Sequence, residues 1–226
     1  MSWYSKALNS SLGRKVIMAL SGGFLIIFLF GHISGNTLLF KDDGGEAFNI
    51  YARFMTTNPA VKILSYLTYG SIILHIVYSI LLTMYNRNAR KVGYAVAGGN
   101  ASSSWNSRNM GILGSVILVF IVIHMYSFWY KMHFGDMPMT TIDGKDVKDL
   151  YTVVNASFHE LWYVILYVVS MGVLTFHLSH GFSSAFQTLG LNHKKYTPII
   201  EKVGMAIAVI VPVGFASMPV FMYLFR

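Results

Sequence analysis

The chain contains no cysteine. Disulfides, thiolate-held iron–sulfur clusters and covalent haem attachment through C-x-x-C-H are therefore excluded within it. Charge is also scarce, at 12% of 226 residues, and only nine residues are acidic. Soluble domains carry about twice that charged fraction. A removable leader is not expected, because no small-residue cleavage signal follows the first apolar run, so that run reads as a membrane span. What fills the chain instead is apolar: 54% of residues are hydrophobic and 15% aromatic, with 14 Tyr and 4 Trp. That balance fits an integral membrane protein with rings at the headgroup level. The formal net charge of +8 could suggest nucleic acid. The cations flank apolar runs, however, so the expected partner is the lipid bilayer and not nucleic acid.

A hydrocarbon core of ~30 Å takes about 20 apolar residues per helix. Five runs qualify, at 16–40, 60–85, 110–132, 158–186 and 203–225. The last holds Pro212 and Pro219, which predict a kink. The expected fold is an all-α membrane protein, one integral membrane domain of five transmembrane helices enclosing its cofactors in a bundle. Loops on one side hold Lys6, Arg14, Lys15, Arg87, Arg90, Lys91, Arg108, Lys194, Lys195 and Lys202, against Glu201 alone. The other seven cations share the opposite side with the remaining eight acids. The positive-inside rule then predicts a cytoplasmic N-terminus and an external C-terminus. The segment 41–58 could hold a short amphipathic helix, and 133–157 contains the turn signal Asp143-Gly144. Both could cover a site or serve as solvated connectors. The segment 86–109 reads as a flexible polar loop.

Histidine placement carries the functional signal. An ionisable ring inside hydrocarbon is costly and usually functional. His32 lies 17 residues after Lys15, and His124 lies 16 after Arg108. His75 lies 16 after Pro59, and His177 lies 17 after Glu160. With a 1.5 Å rise per residue, each sits roughly 24–26 Å from where its span begins. Since alternate spans run in opposite directions, His32 pairs in depth with His124 near the outer face, and His75 with His177 near the inner face. Two neutral imidazoles at one depth, on opposite sides of a flat macrocycle, can supply both axial ligands of a haem iron. The metal-ligand set is therefore His32, His75, His124 and His177, holding two b haems. A zinc site would draw four ligands to one point. For any single ring, a hydrogen bond to a backbone carbonyl explains its presence equally well.

His180 is one turn from His177 on nearly the same face. Counting back from Lys194 favours His180, whereas counting from Glu160 favours His177. Gly190 should end that helix, which makes Lys194 a poor depth marker. His177 is assigned as ligand and His180 as a neighbour of the cofactor. Haem propionates need cationic or hydroxyl partners, for which Arg14, Lys15, Ser21, Arg108 and Lys194 are candidates. Most of these also serve as positive-inside anchors. Gly22, Gly23, Gly31, Gly111, Gly114, Gly172 and Gly181 lie near the histidines. They would admit either a bulky insert or close helix packing. Trp105 is either an interfacial ring or part of a cover over the inner site. His133, His159 and His193 fall at span ends or in loops and read as interfacial or solvated.

The order Gly31-His32, His75, His124-Met-Tyr126 and His177-Leu-Ser-His-Gly181 through Gly190 resembles one family across essentially the whole chain. It is similar to the five-helix, di-haem cytochrome b subunit of succinate:quinone oxidoreductases and quinol:fumarate reductases. The resemblance implies the same four histidine ligands. It also implies a flavoprotein subunit and an iron–sulfur subunit docked on the cytoplasmic face of a bacterial cytoplasmic membrane. Electrons would pass through both haems to or from a membrane quinone, commonly menaquinone, and the dicarboxylate chemistry would lie in a partner subunit. Family members can place an acid near the quinone head at the outer side; Asp42, Asp43, Glu46 and Glu160 are the candidates here. Alternatives are a cytochrome b subunit of another quinone-linked dehydrogenase such as a hydrogenase, or a histidine-lined proton or metal transporter.

Overall fold

The computed structural model describes residues 10–89 and 103–226. Helix dominates these residues. Helix α1 is Ser11–Asn36 and ends in a 3-10 turn, Thr37–Phe40. Then follow α2 (Glu46–Thr57) and α3 (Pro59–Ala89). Helix α4 is Trp105–His124, continued by a π-helical segment, Met125–Tyr130, and a last turn, α5 (Lys131–Phe134). Strands β1 (Met139–Ile142) and β2 (Lys145–Lys148) precede α6 (Leu150–Phe158), α7 (Leu161–Thr188) and α8 (Thr197–Phe225).

Five stretches are long and apolar enough to cross a membrane: Ser11–Phe40, Pro59–Ala89, Trp105–Phe134, Leu161–Thr188 and Thr197–Phe225. They have 28–31 residues, or roughly 42–46 Å of helix at 1.5 Å per residue. That exceeds the ~30 Å hydrocarbon core. The expected apolar runs mostly fall within these helices, which extend several residues beyond them. Apolarity marks only the hydrocarbon part, while backbone hydrogen bonding carries the helix on into the headgroup zone. Large apolar side chains on the outside, such as Ile27 and Ile210 at 69% exposure, suit contact with acyl chains.

Two expectations are corrected. The chain is not wholly helical: residues 139–148 form an antiparallel hairpin with Ile142 opposite Lys145. Asp143 and Gly144 both have positive φ, 52° and 70°, the requirement of a two-residue type I′ turn. The fourth span does not begin at 158. Phe158 ends α6, and α7 starts at Leu161 after a break at His159-Glu160. The Glu160 carbonyl accepts from Tyr163 N–H and Val164 N–H, so the break also caps α7. Helix α8 continues through Pro212 and Pro219, both fully buried.

The chain divides into two compact units. The first comprises Met1–Phe28, Tyr66–Gly114 and Phe176–Val209; the second comprises Leu29–Ser65, Ser115–Thr175 and Ile210–Arg226. Lys6, Arg90, Lys91 and most of the polar 86–109 loop lie outside the described residues.

The second unit holds a dense apolar core. Leu39, Phe48, Phe128, Tyr151, Val154, Phe158, Tyr163, Tyr167, Met218 and Met222 pack together in it. The amphipathic helix expected within 41–58 is α2, which buries Phe48, Asn49 and Ala52. Buried Asn49 donates to Asp149 Oδ1 at 2.8 Å and accepts from Tyr151 N–H at 2.9 Å. Asp149 in turn caps α6, accepting from Thr152 N–H at 3.0 Å and Thr152 Oγ1–H at 2.7 Å. Burial raises the Asp149 pKa, but the bonds from Thr152 and Asn49 outweigh it and hold the carboxyl below its ordinary value. Gly45, at φ 87°, lies against the Tyr151 ring, where any Cβ would fall 2.1 Å from Tyr151 Cγ. Glycine alone meets both demands.

In the first unit, Gly190 ends α7 as the sequence predicts. It has φ 77°, Leu191 N–H bonds the Phe186 carbonyl, and Gly190 N–H bonds the Gln187 carbonyl. This is the Schellman pattern.

Candidate functional site: two facing imidazole pairs

Each unit brings two of the four histidines into edge-on contact. In the second unit, His32 of α1 and His124 of α4 have ring centroids 5.8 Å apart at an interplanar angle of 88°. In the first, His75 of α3 and His177 of α7 are 6.2 Å apart at 66°. All four are half-buried. A metal–imidazole bond is about 2.0–2.1 Å and the ring centroid lies roughly 1.1 Å beyond the nitrogen, so two rings on opposite sides of one metal stand roughly 6.2–6.4 Å apart. The His75/His177 pair meets that distance, and the His32/His124 pair stands slightly closer. Among the described residues, no group of three or more His, Asp or Glu side chains converges, as a metal held by side chains alone would require.

The two settings differ. His124 Nδ1 is 2.8 Å from Tyr167 Oη, and Phe120 stacks on the His124 ring at 5.8 Å and 28°. Phe128 meets His124 at 5.5 Å, and Phe215 meets His32 at 5.5 Å. Asn36, one turn beyond His32, donates to the His32 carbonyl at 2.7 Å. Immediately after His124 the backbone turns π-helical. Such segments recur at functional sites, where they re-aim side chains. Here the segment buries Phe128 and leaves Tyr126 and Tyr130 exposed.

In the first unit, the neighbours of the pair are small. A Cβ on Gly22 would lie 3.1 Å from His75 Cε1, and one on Gly114 would lie 3.7 Å from His177 Cε1. Ser21 Oγ–H donates to the Met18 carbonyl at 3.1 Å, and the same oxygen lies 3.3 Å from His75 Nδ1. With the Ser21 proton given to Met18, the contact is met by the His75 tautomer protonated at Nδ1, and that tautomer leaves Nε2 with its lone pair for a metal. His177 Nδ1 is buried with no hydrogen-bond partner among the described residues.

The remaining candidates are placed as follows. His180 is half-buried one turn beyond His177, and among the described residues the ring opposite His75 belongs to His177. The motif serine between them, Ser179, accepts from Asn106 Nδ2 at 2.7 Å and donates to the Phe176 carbonyl; it ties α4 to α7. Arg14 lies over the Tyr85 ring, with Cζ 5.9 Å from the centroid. Lys15 and Lys194 are exposed, and Arg108 donates to the Ser103 carbonyl. Trp105 opens α4 and meets Phe176 at 5.7 Å. Gly23, Gly31, Gly111, Gly172 and Gly181 would each place a Cβ with nothing within 4 Å, so tight helix packing does not account for them. It accounts for Gly204 against Phe182 and Gly214 against Ile33.

Of the acids, Asp42 pairs with Arg226, Asp43 accepts from Gly45 N–H and Ala47 N–H, and Glu46 and Glu160 are exposed. His133, His159 and His193 are exposed, the first two bonding the carbonyls of Trp129 and Asn155.

Tyr167 and Phe215 escaped the sequence reading. Neither has a fixed spacing to the histidine it touches, since each lies on a different helix. No family model, curated protein or solved structure matches the chain.

Proposed function

We propose that the chain is a di-haem cytochrome b membrane subunit that links a succinate dehydrogenase or fumarate reductase to the quinone pool. Haem b supplies reversible one-electron transfer when bound. His32 and His124 would hold one iron, and His75 and His177 the other. The carrying observation is the spacing of both pairs, 5.8 and 6.2 Å, which suits axial imidazoles on one metal.

The residues around each pair support this reading. Ser21 fixes the His75 tautomer. Gly22 and Gly114 leave clearance at the ring edges of His75 and His177. Phe120, Phe128 and Phe215 keep water from His32 and His124, which holds those imidazoles in a low-dielectric site where burial shapes the potential. Arg14 and Lys15 on α1 and Arg108 on α4 supply cations on the side read as cytoplasmic, the side where iron–sulfur and flavoprotein subunits would dock. The choice of a succinate or fumarate partner rests on the sequence resemblance, as does menaquinone or another quinone as the membrane substrate.

The test is purification from native membranes with haem quantification. Two b-type haems per chain, with a co-purifying flavoprotein and iron–sulfur protein that reduce quinone with succinate, is the expected result. A hydrogenase partner would replace the succinate assignment, and a haem-free protein would overturn the cytochrome.

A further inference from the structure

The haem reading assigns ligands but says nothing about what holds them in place or sets their donor strength. The His124 ring has a specific partner for that purpose. Tyr167 Oη lies 2.8 Å from His124 Nδ1. The phenol is 6% exposed, and its ring is clamped edge-on by Phe120 at 4.9 Å and Phe158 at 5.0 Å. Its hydroxyl has one further neighbour, Tyr163 Oη at 3.5 Å, in a side chain 4% exposed. The hydroxyl therefore cannot swing away without breaking a packed aromatic core.

We propose that Tyr167 is a positioning residue for the His32/His124 site: it fixes the His124 tautomer and raises the donor strength of its ligating nitrogen. The proposal rests on the haem reading above. With Nδ1 engaged by Tyr167, Nε2 is the nitrogen left for a metal. A ligating imidazole that donates its other N–H to an oxygen becomes a stronger base. A stronger base favours the oxidised metal, so Tyr167 lowers the reduction potential of this site. The other pair provides the contrast. His75 Nδ1 meets Ser21 Oγ over a longer 3.3 Å, and His177 Nδ1 has no partner among the described residues.

The experiment is a spectroelectrochemical titration of the intact complex purified from membranes, comparing wild type with Tyr167→Phe and Ser21→Ala. Tyr167→Phe keeps the ring and removes only the hydroxyl. The expected result is an unchanged haem content, with one haem wave moved positive by about tenfold in its reduction equilibrium, ~59 mV for one electron. The second wave stays, and Ser21→Ala moves that second wave instead. Neither wave moving, or both moving together, in Tyr167→Phe would overturn the assignment. If Tyr167→Phe loses a haem, Tyr163→Phe decides. That variant leaves the Tyr167 hydroxyl in place but removes its hydroxyl neighbour at 3.5 Å. A smaller shift confined to the same wave supports the role, positive if Tyr167 donates to Tyr163 and negative if it accepts, and no shift overturns it. Wild-type complex without haem would overturn the proposed function itself, and this role with it.

Discussion

The His32/His124 pair stands among aromatic rings, whereas the His75/His177 pair stands among glycines and a serine. Ring separations differ by only 0.4 Å, 5.8 against 6.2 Å, yet the means of holding them differ. Phe120, Phe128, Tyr167 and Phe215 surround the first pair, and the aromatic core of the second unit continues outward from there. Around the other pair, Gly22 and Gly114 are the close neighbours, and one hydroxyl bond orients one ring. Packing fixes one site, while clearance and a single polar contact fix the other. Shape errors should therefore injure the two sites differently.

The largest effect should come from the aromatic wall. Phe158→Ala removes a ring 4% exposed that packs on Phe128, Tyr163 and Tyr167. Phe→Ala in a core costs about 3–5 kcal/mol. Denaturation in mixed micelles should show that loss, with the His32/His124 site disordered and the other site retained. Equal damage to both sites would erase the distinction drawn here.

Next comes the glycine side. Gly22→Val puts a branched side chain where Cβ alone already lies 3.1 Å from His75 Cε1. Overpacking costs about 1–3 kcal/mol, and the ring must turn away. On the proposed di-haem reading, haem content should fall by one per chain, and Gly22→Ala should fall between wild type and Gly22→Val. Full retention in Gly22→Val would show that the clearance is incidental.

The smallest effect concerns the polar staple of the second unit. Asp149 has its folded pKa lowered, so its bonds to Thr152 and Asn49 stabilise the fold above the unfolded carboxyl pKa. That contribution fades as pH falls through the folded value. Amide protection factors in α6, taken relative to the intrinsic exchange rate at each pH, should therefore fall on acidification, and Asp149→Asn should remove most of that dependence. The first unit, where no such carboxylate cap was found among the described residues, should show little change over the same range.

Much of this architecture was legible in the residues. Length and apolarity reveal the helices, and 16–17 residue offsets place four histidines in level pairs because helical rise is constant. The helix within 41–58 and the stop at Gly190 follow from amphipathicity and from a glycine's left-handed freedom. The hairpin at 139–148 was missed although Asp143-Gly144 between alternating residues marks it, because four-residue strands give a weak periodic signal. The break at His159-Glu160 was invisible because apolar residues continue on both sides. The π segment after His124 has no composition signature. Tyr167 could not be found at all, since contact across helices depends on how they rotate and pack, which spacing along one helix does not encode.

The most direct test of the pairing is low-temperature electron paramagnetic resonance of the oxidised protein from wild type and five single alanine variants. Wild type should give two low-spin bis-imidazole ferric signals. His32→Ala and His124→Ala should abolish the same one, His75→Ala and His177→Ala the other, and His180→Ala neither. Loss of different signals in His32→Ala and His124→Ala, or loss of a signal in His180→Ala with retention in His177→Ala, would contradict the account.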